Sequence, residues 1–132
     1  GGCHCGAVRW KVRVEGKPEL VKCNCSICQK KGFLHLIVEK EQFELLRGQD
    51  ALTEYRFNTG TARHTFCKVC GIQSFYYPRS HPHGVDVNAY CIETPATPDI
   101  ERIVLFDGKN WEKNVSSLAG AAAPQPPTQS RL

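Results

Sequence analysis

Seven of the eight cysteines in this 132-residue chain fall into three short motifs. Cys3 and Cys5 form a Cys-x-Cys pair, Cys67 and Cys70 form a Cys-x-x-Cys pair, and CNCSIC carries Cys23, Cys25 and Cys28. Cys91 stands alone. Spacings this short let neighbouring thiolates converge on one metal ion, whereas a disulfide needs its own Cα separation and dihedral angle. One Cys-x-Cys pair and one Cys-x-x-Cys pair together make a closed four-thiol set from Cys3, Cys5, Cys67 and Cys70. That is the composition of a structural zinc site, which contributes about 10–16 kcal/mol in small peptides. Cys23, Cys25 and Cys28 are then left with three ligands. A tetrahedral zinc held by three protein groups keeps a fourth position for water or substrate, as catalytic sites do. Cys91, His35, His64, His81 or His83 are the residues that could instead close it. His35 lies in an apolar run and reads as a packed core residue, and His81 and His83 flank Pro82 in a loop that suits exposed histidines. Cys91 reads as a small buried apolar residue. The open and the closed second site both stand at this point.

The elements that must position these thiols read almost wholly as β. Val8, Trp10, Val12 and Val14 alternate with Arg9, Lys11 and Arg13, a strand with one buried and one wet face. FLHLIV (33–38) is apolar throughout except for its histidine, as a strand buried on both faces would be. TEYRF (53–57), IQSFYY (72–77), VDVNAY (85–90) and RIVLF (102–106) follow, separated by turn residues. EKEQFELL (39–46) is the helical candidate, or else a turn leading into another strand. Glycine follows the second cysteine in both CHCG and KVCG, where a metal knuckle must turn sharply. The domain is expected to span residues 1–114. Beyond it, the Pro- and Ala-rich stretch 115–132 lacks apolar periodicity and reads as a disordered tail.

Bulk properties exclude several classes. A net charge of +4 without any block of like charges gives no reason to expect nucleic acid or an anionic membrane as partner. No run reaches the length of a membrane span, and the first residues carry no secretion signal, so disulfide chemistry is not expected. The chain ends in Ser130-Arg131-Leu132, one basic exchange away from the peroxisomal address Ser-Lys-Leu. A peroxisomal import receptor is therefore an expected partner, with the cytoplasm as second location and the nucleus as third.

GGCHCGAVRW, KCNCSICQKKG and RHTFCKVCGIQSFYYPRS, in that order, resemble the glutathione-dependent formaldehyde-activating enzyme family, which also contains centromere protein V. The resemblance covers nearly all of residues 1–114. It implies an all-β, Mss4-like fold of tent-shaped sheets stapled by two zinc sites. It assigns Cys3, Cys5, Cys67 and Cys70 to a structural zinc and Cys23, Cys25 and Cys28 to a catalytic one. The implied activity is carbon–sulfur lyase chemistry on a glutathione adduct of formaldehyde, S-(hydroxymethyl)glutathione synthase-like, with glutathione or a similar small thiol as cosubstrate. The alternative is a non-enzymatic zinc-binding interaction module of the centromere protein V type. Lys30 and Lys31 follow the three-thiol motif and are candidates for the carboxylates of glutathione, or else form a solvated basic face. Arg63, Arg79 and Asn88 are further candidates of this kind. Asn24 and Ser26 are expected to serve the turn between the thiols.

Overall fold

The computed structural model describes residues 1–93 and 102–122. Among them run nine strands: β1 (Arg9–Val12), β2 (Leu20–Cys23), β3 (Leu34–Glu39), β4 (Phe43–Arg47), β5 (Leu52–Tyr55), β6 (His64–Cys67), β7 (Phe75–Tyr76), β8 (Gly84–Asn88) and β9 (Ile103–Phe106). Two short helices, α1 (Ser26–Lys31) and α2 (Trp111–Asn114), are added to this mainly β architecture. The largest sheet has the order β7-β8-β3-β2-β9. Its pairs are antiparallel except β2 with β9, which run parallel. β1 pairs with β4, and β5 with β6, in two separate ribbons.

The two-residue period of a strand gives the large sheet two different faces. Leu20, Leu34, Leu36, Val38, Phe75, Val85 and Val87 lie on one face and pack with Val8 and Trp10 from the β1 region as the core. Each such buried side chain contributes about 1.5–3 kcal/mol. Trp10 is buried, and its indole N–H donates to Ser74 Oγ at 3.0 Å, so its one polar atom is satisfied. The other face holds the intervening residues. Val21 pairs with His35, and Asp86 pairs with both Ile37 and Tyr76, so these side chains project together. FLHLIV is thus buried on both faces, with a face of a different kind on each side.

Several expectations need correction. EKEQFELL is the turn-and-strand alternative: a single 3-10 turn, Lys40–Gln42, feeds β4. The Glu39 and Gln42 side chains close a reciprocal capping box there, which satisfies the turn without a longer helix. CNCSICQKK contains helix α1, which no apolar periodicity announced. Residues 115–122 are not a free tail. Val115 is fully buried, and the Ala122 amide donates to the Ser80 carbonyl at 2.8 Å. His81 is the reason this segment docks. Its Nε2 donates to the Ala119 carbonyl at 2.7 Å while Nδ1 accepts from the Ser80 hydroxyl at 2.8 Å, so His81 is a buried anchor and not an exposed loop residue. The rest of the expected tail, including Ser130-Arg131-Leu132, lies outside the described residues. No helix among the described residues is long and apolar enough to cross a membrane.

Candidate metal centre

The fold gathers the thiols in two groups, each with its sulfurs within 4.8 Å of one another: Cys3, Cys5, Cys67 and Cys70, and separately Cys23, Cys25 and Cys28. The first group joins the chain's start to the end of β6. Cys3 and Cys5 sulfurs are 3.6 Å apart and Cys5 and Cys67 sulfurs 3.7 Å, too far for disulfides. Gly6 at φ 83° and Gly71 at φ 77° turn the two corners in the left-handed region that a side chain disfavours. Amides point at sulfur, Val8 N to Cys3 Sγ at 3.3 Å and Ala7 N to Cys5 Sγ at 3.5 Å.

The second group is built by one local turn. Cys23 closes β2, and its sulfur accepts from the Cys25 amide at 3.4 Å. Cys25 then acts as the N-cap of α1, its sulfur accepting from the Cys28 amide at 3.4 Å. A thiolate fills the role Ser or Asp usually plays, and the helix in return carries Cys28 inward. Asn24 reaches beyond the turn it was expected to serve, its Oδ1 accepting from the Lys109 amide at 3.1 Å. That bond draws the chain around Gly108 against the cluster. A Cβ at Gly108 would fall on Cys23 Sγ and lie 2.9 Å from Cys25 Cβ, so only glycine fits. Sequence reasoning passed over Gly108, because nothing in GKNWEK marks a close approach to residues 85 positions away.

Cys23, Cys25 and Cys28 line a cavity of about 410 Å³, and none of Cys3, Cys5, Cys67 and Cys70 is among its lining residues. Its floor is the second face of the large sheet, with Val21, His35, Ile37, Tyr76 and Asp86. Phe57, His64, Phe106, Lys109, Trp111 and Leu118 also line it. His64 is stacked between Phe57 and Tyr76, at centroid distances of 5.2 Å and 4.9 Å. Among the described residues no histidine, carboxylate or further cysteine joins either group within 4.8 Å. Cys91 lies on the side of the four-thiol group, where burial and then the neighbouring Cys3 and Cys70 push its thiol up to about 11.

The basic candidates separate. Lys30 is exposed and does not line the cavity. Lys31 folds inward, its Nζ 4.4 Å from the Tyr76 ring centroid, 4.9 Å from that of Phe33 and 3.5 Å from His64 Nδ1. Burial lowers its pKa, while the thiols and Asp86 act in the opposite direction. Burial, and then the Lys31 charge, bring His64 down to about 4, so it accepts from Lys31 as a neutral ring. Arg79 lines the cavity, stacked 3.8 Å above the Trp111 ring and 3.3 Å from Glu112 Oε1. Arg63 instead pairs with Glu54 at 2.7 Å over Tyr77, away from the cavity. Asn88 is structural: its amide accepts from the Leu34 and Tyr90 backbone and donates to the Gln73 carbonyl.

Three thiols this close cannot all ionise by themselves. Hydrogen bonding from Cys23 and then Cys28, against burial, holds Cys25 down at about 2. The same contact with Cys25 pushes Cys23 up to about 11, and contacts with Cys23 and Cys25 push Cys28 far up. A divalent cation removes the repulsion that keeps those protons on, and a set of thiolates is the soft donor set that suits zinc. Both groups, with sulfurs converging and amides aimed at sulfur, fit such an ion.

A model of the glutathione-dependent formaldehyde-activating enzyme family matches residues 1–104. The chain is also similar to a Rhodobacter sphaeroides protein of known crystal structure, at 34% identity and a TM-score of 0.71. That match covers 80% of this chain and 97% of the other.

Proposed function

Because the chain belongs to the glutathione-dependent formaldehyde-activating enzyme family, we propose that it is a zinc-dependent carbon–sulfur lyase. It joins glutathione to formaldehyde as S-(hydroxymethyl)glutathione, or runs the reverse. The observation that carries this reading is the difference between the two thiol groups: the three-thiol group lines a cavity and the four-thiol group does not. In this reading Cys3, Cys5, Cys67 and Cys70 hold a structural zinc within an Mss4-like tent, and Cys23, Cys25 and Cys28 hold the catalytic one. Bound there, zinc supplies a soft Lewis acid which three thiolates leave better suited to a thiol sulfur than to hydroxide.

The chain's own groups do the rest. Lys31 offsets the negative charge of the thiolates from behind, through the aromatic layer of Phe33 and Tyr76. Arg79, held flat on Trp111, and Lys109 place two cations at the cavity wall for the carboxylates of glutathione. The Phe57, Phe106 and Trp111 rings exclude bulk water from the sulfur and from the one-carbon unit.

The test replaces the bound metal by cobalt and follows its visible spectrum. Millimolar reduced glutathione is expected to change the spectrum of the three-thiol site, and S-methylglutathione to change it less. Exchange spectroscopy on formaldehyde and glutathione should show faster interconversion with the protein than without. An unchanged spectrum together with an unchanged exchange rate overturns the lyase and leaves a non-enzymatic zinc-binding interaction module.

A further inference from the structure

The floor of the cavity carries a polar pair that the thiol chemistry above leaves unused. His35 Nδ1 lies 2.6 Å from Asp86 Oδ2, with side chains 5% and 1% exposed. The carboxylate accepts, so Nδ1–H donates, and Nε2 becomes the ring's exchangeable position. Among the described residues, neither His35 Nε2 nor Asp86 Oδ1 has a hydrogen-bond partner. Buried polar atoms left this way cost folding free energy, and an apolar pair would serve the core better. The pair comes from sheet register: His35 on β3 faces Val21, and Asp86 on β8 faces Ile37 two residues further along β3. Both residues line the cavity that holds Cys23, Cys25 and Cys28. The other aromatic titratable groups there, Tyr76 and His64, suit proton transfer less well. Burial, followed by Asp86 and the thiols, pushes the Tyr76 phenol well up, so it stays protonated. His64 is a neutral ring already engaged by Lys31.

We propose that His35 is the proton carrier of this cavity and Asp86 its positioning residue, a role that rests on the lyase reading above. In the forward direction the thiol proton passes to His35 Nε2, and Asp86 stabilises the imidazolium. The sulfur electron pair forms the carbon–sulfur bond, the carbonyl π pair moves onto oxygen, and oxygen takes the proton back from Nε2. The reverse reaction retraces these transfers. Thiol plus formaldehyde gives the hydroxymethyl thioether with no net proton, oxidant or reductant. Tyr76 from β7 and Lys31 from the end of α1 act electrostatically on Asp86, and His64 from β6 on His35, while the three thiols, Arg79, Lys109 and Glu112 line the same cavity.

His35→Gln keeps a polar side chain but loses the imidazole. It is expected to lower kcat by about 10²–10⁴-fold while KM for glutathione and metal content hold. His35→Ala should regain part of its kcat with imidazole in solution, a rescue that a purely structural histidine would not show. Asp86→Asn should cost about 10–100-fold, as loss of a histidine's orienting partner does. A His35→Gln variant within threefold of wild-type kcat overturns the proposal. A second readout needs neither variant nor turnover: ¹⁵N-histidine spectra of the wild-type metal-loaded protein. His35 should carry its proton on Nδ1, and its Nε2 resonance should move with formaldehyde plus glutathione, or with formaldehyde plus 2-mercaptoethanol. A silent Nε2 in a protein that turns over sinks the proton carrier and keeps the lyase. A responsive Nε2 without glutathione turnover keeps the carrier and sinks glutathione as the substrate.

Discussion

The two thiol groups share one ligand type but differ in what they join and what they face, and sequence distance separates them. Cys5 and Cys67 stand 62 positions apart, so the four-thiol group is a cross-link between the chain's start and its middle. Cys3 and Cys67 are both buried within the core cluster, and Gly1 and Gly2 next to them bond back to Trp10 and Cys91. Metal there would tie core to core. Cys23, Cys25 and Cys28 come from one turn, and Gly108 is pressed against them from afar. Metal there would stiffen a loop that the sheet already holds at one end. Under the proposed assignment, what distinguishes the structural from the chemical site is what the ligands connect and what they face, not the ligands themselves.

The sharpest way to break this comparison is Cys67→Ser. It should lose one metal equivalent and unfold a large part of the chain, because it removes a buried ligand and uncouples two remote segments. At about 4–8 °C per kcal/mol, the loss of even part of a structural zinc's contribution lowers the melting midpoint by more than about 15 °C. Calorimetry with metal analysis reads this directly, and a native midpoint with full metal would refute the cross-link. Cys25→Ser should behave differently: one metal equivalent lost, activity abolished, and most of the melting transition retained, since the core face of the sheet is untouched. Equal destabilisation by both variants would erase the distinction.

How much of this was legible in the sequence follows the range of the interactions. The thiol groups could be read because ligand spacing is a local property, and a CxC or CxxC converges whatever the rest of the fold does. The β character could be read from alternation at Val8–Val14 and from FLHLIV. His35 was read as a packed core residue because its strand is apolar on both sides; its partner, Asp86, is 51 positions away and is set by the β3–β8 register alone. Helix α1 was missed because its N-cap is a cysteine sulfur, outside the usual capping signals. Composition averaged over 115–132 hid the packing of Val115 and Leu118 and the His81 anchor.

Gly108→Ala should sharpen the comparison at smaller amplitude. The added methyl meets Cys23 Sγ and the Cys25 backbone, neither of which can retreat without spoiling the cluster. Affinity for the metal at the three-thiol site should fall by about 10–100-fold, in the range of perturbations just outside the ligand shell. The four-thiol site, whose cysteines do not line the cavity that Gly108 lines, should keep its metal. Competition with a chromogenic chelator separates the two equivalents. A uniform loss from both sites would show that Gly108 acts on the fold as a whole.

The smallest effect should come from the cavity wall, where Arg79 and Lys30 make an internal control. Arg79 lies 12% exposed on Trp111 and lines the cavity, so its guanidinium reaches a ligand with little reordering. Lys30 points to solvent on the outer side of α1. Arg79→Lys keeps the charge but loses the planar stack and the paired donors, so it should weaken glutathione binding nearly as much as Arg79→Ala does. A charge-assisted hydrogen bond contributes about 1.5–3 kcal/mol, so KM for glutathione should rise by roughly 10–100-fold with kcat nearly unchanged. Lys30→Ala should leave both constants where they were. If Lys30→Ala raises KM as much as Arg79→Ala, glutathione binds along the outer face of α1, and the cavity does not hold the carboxylates.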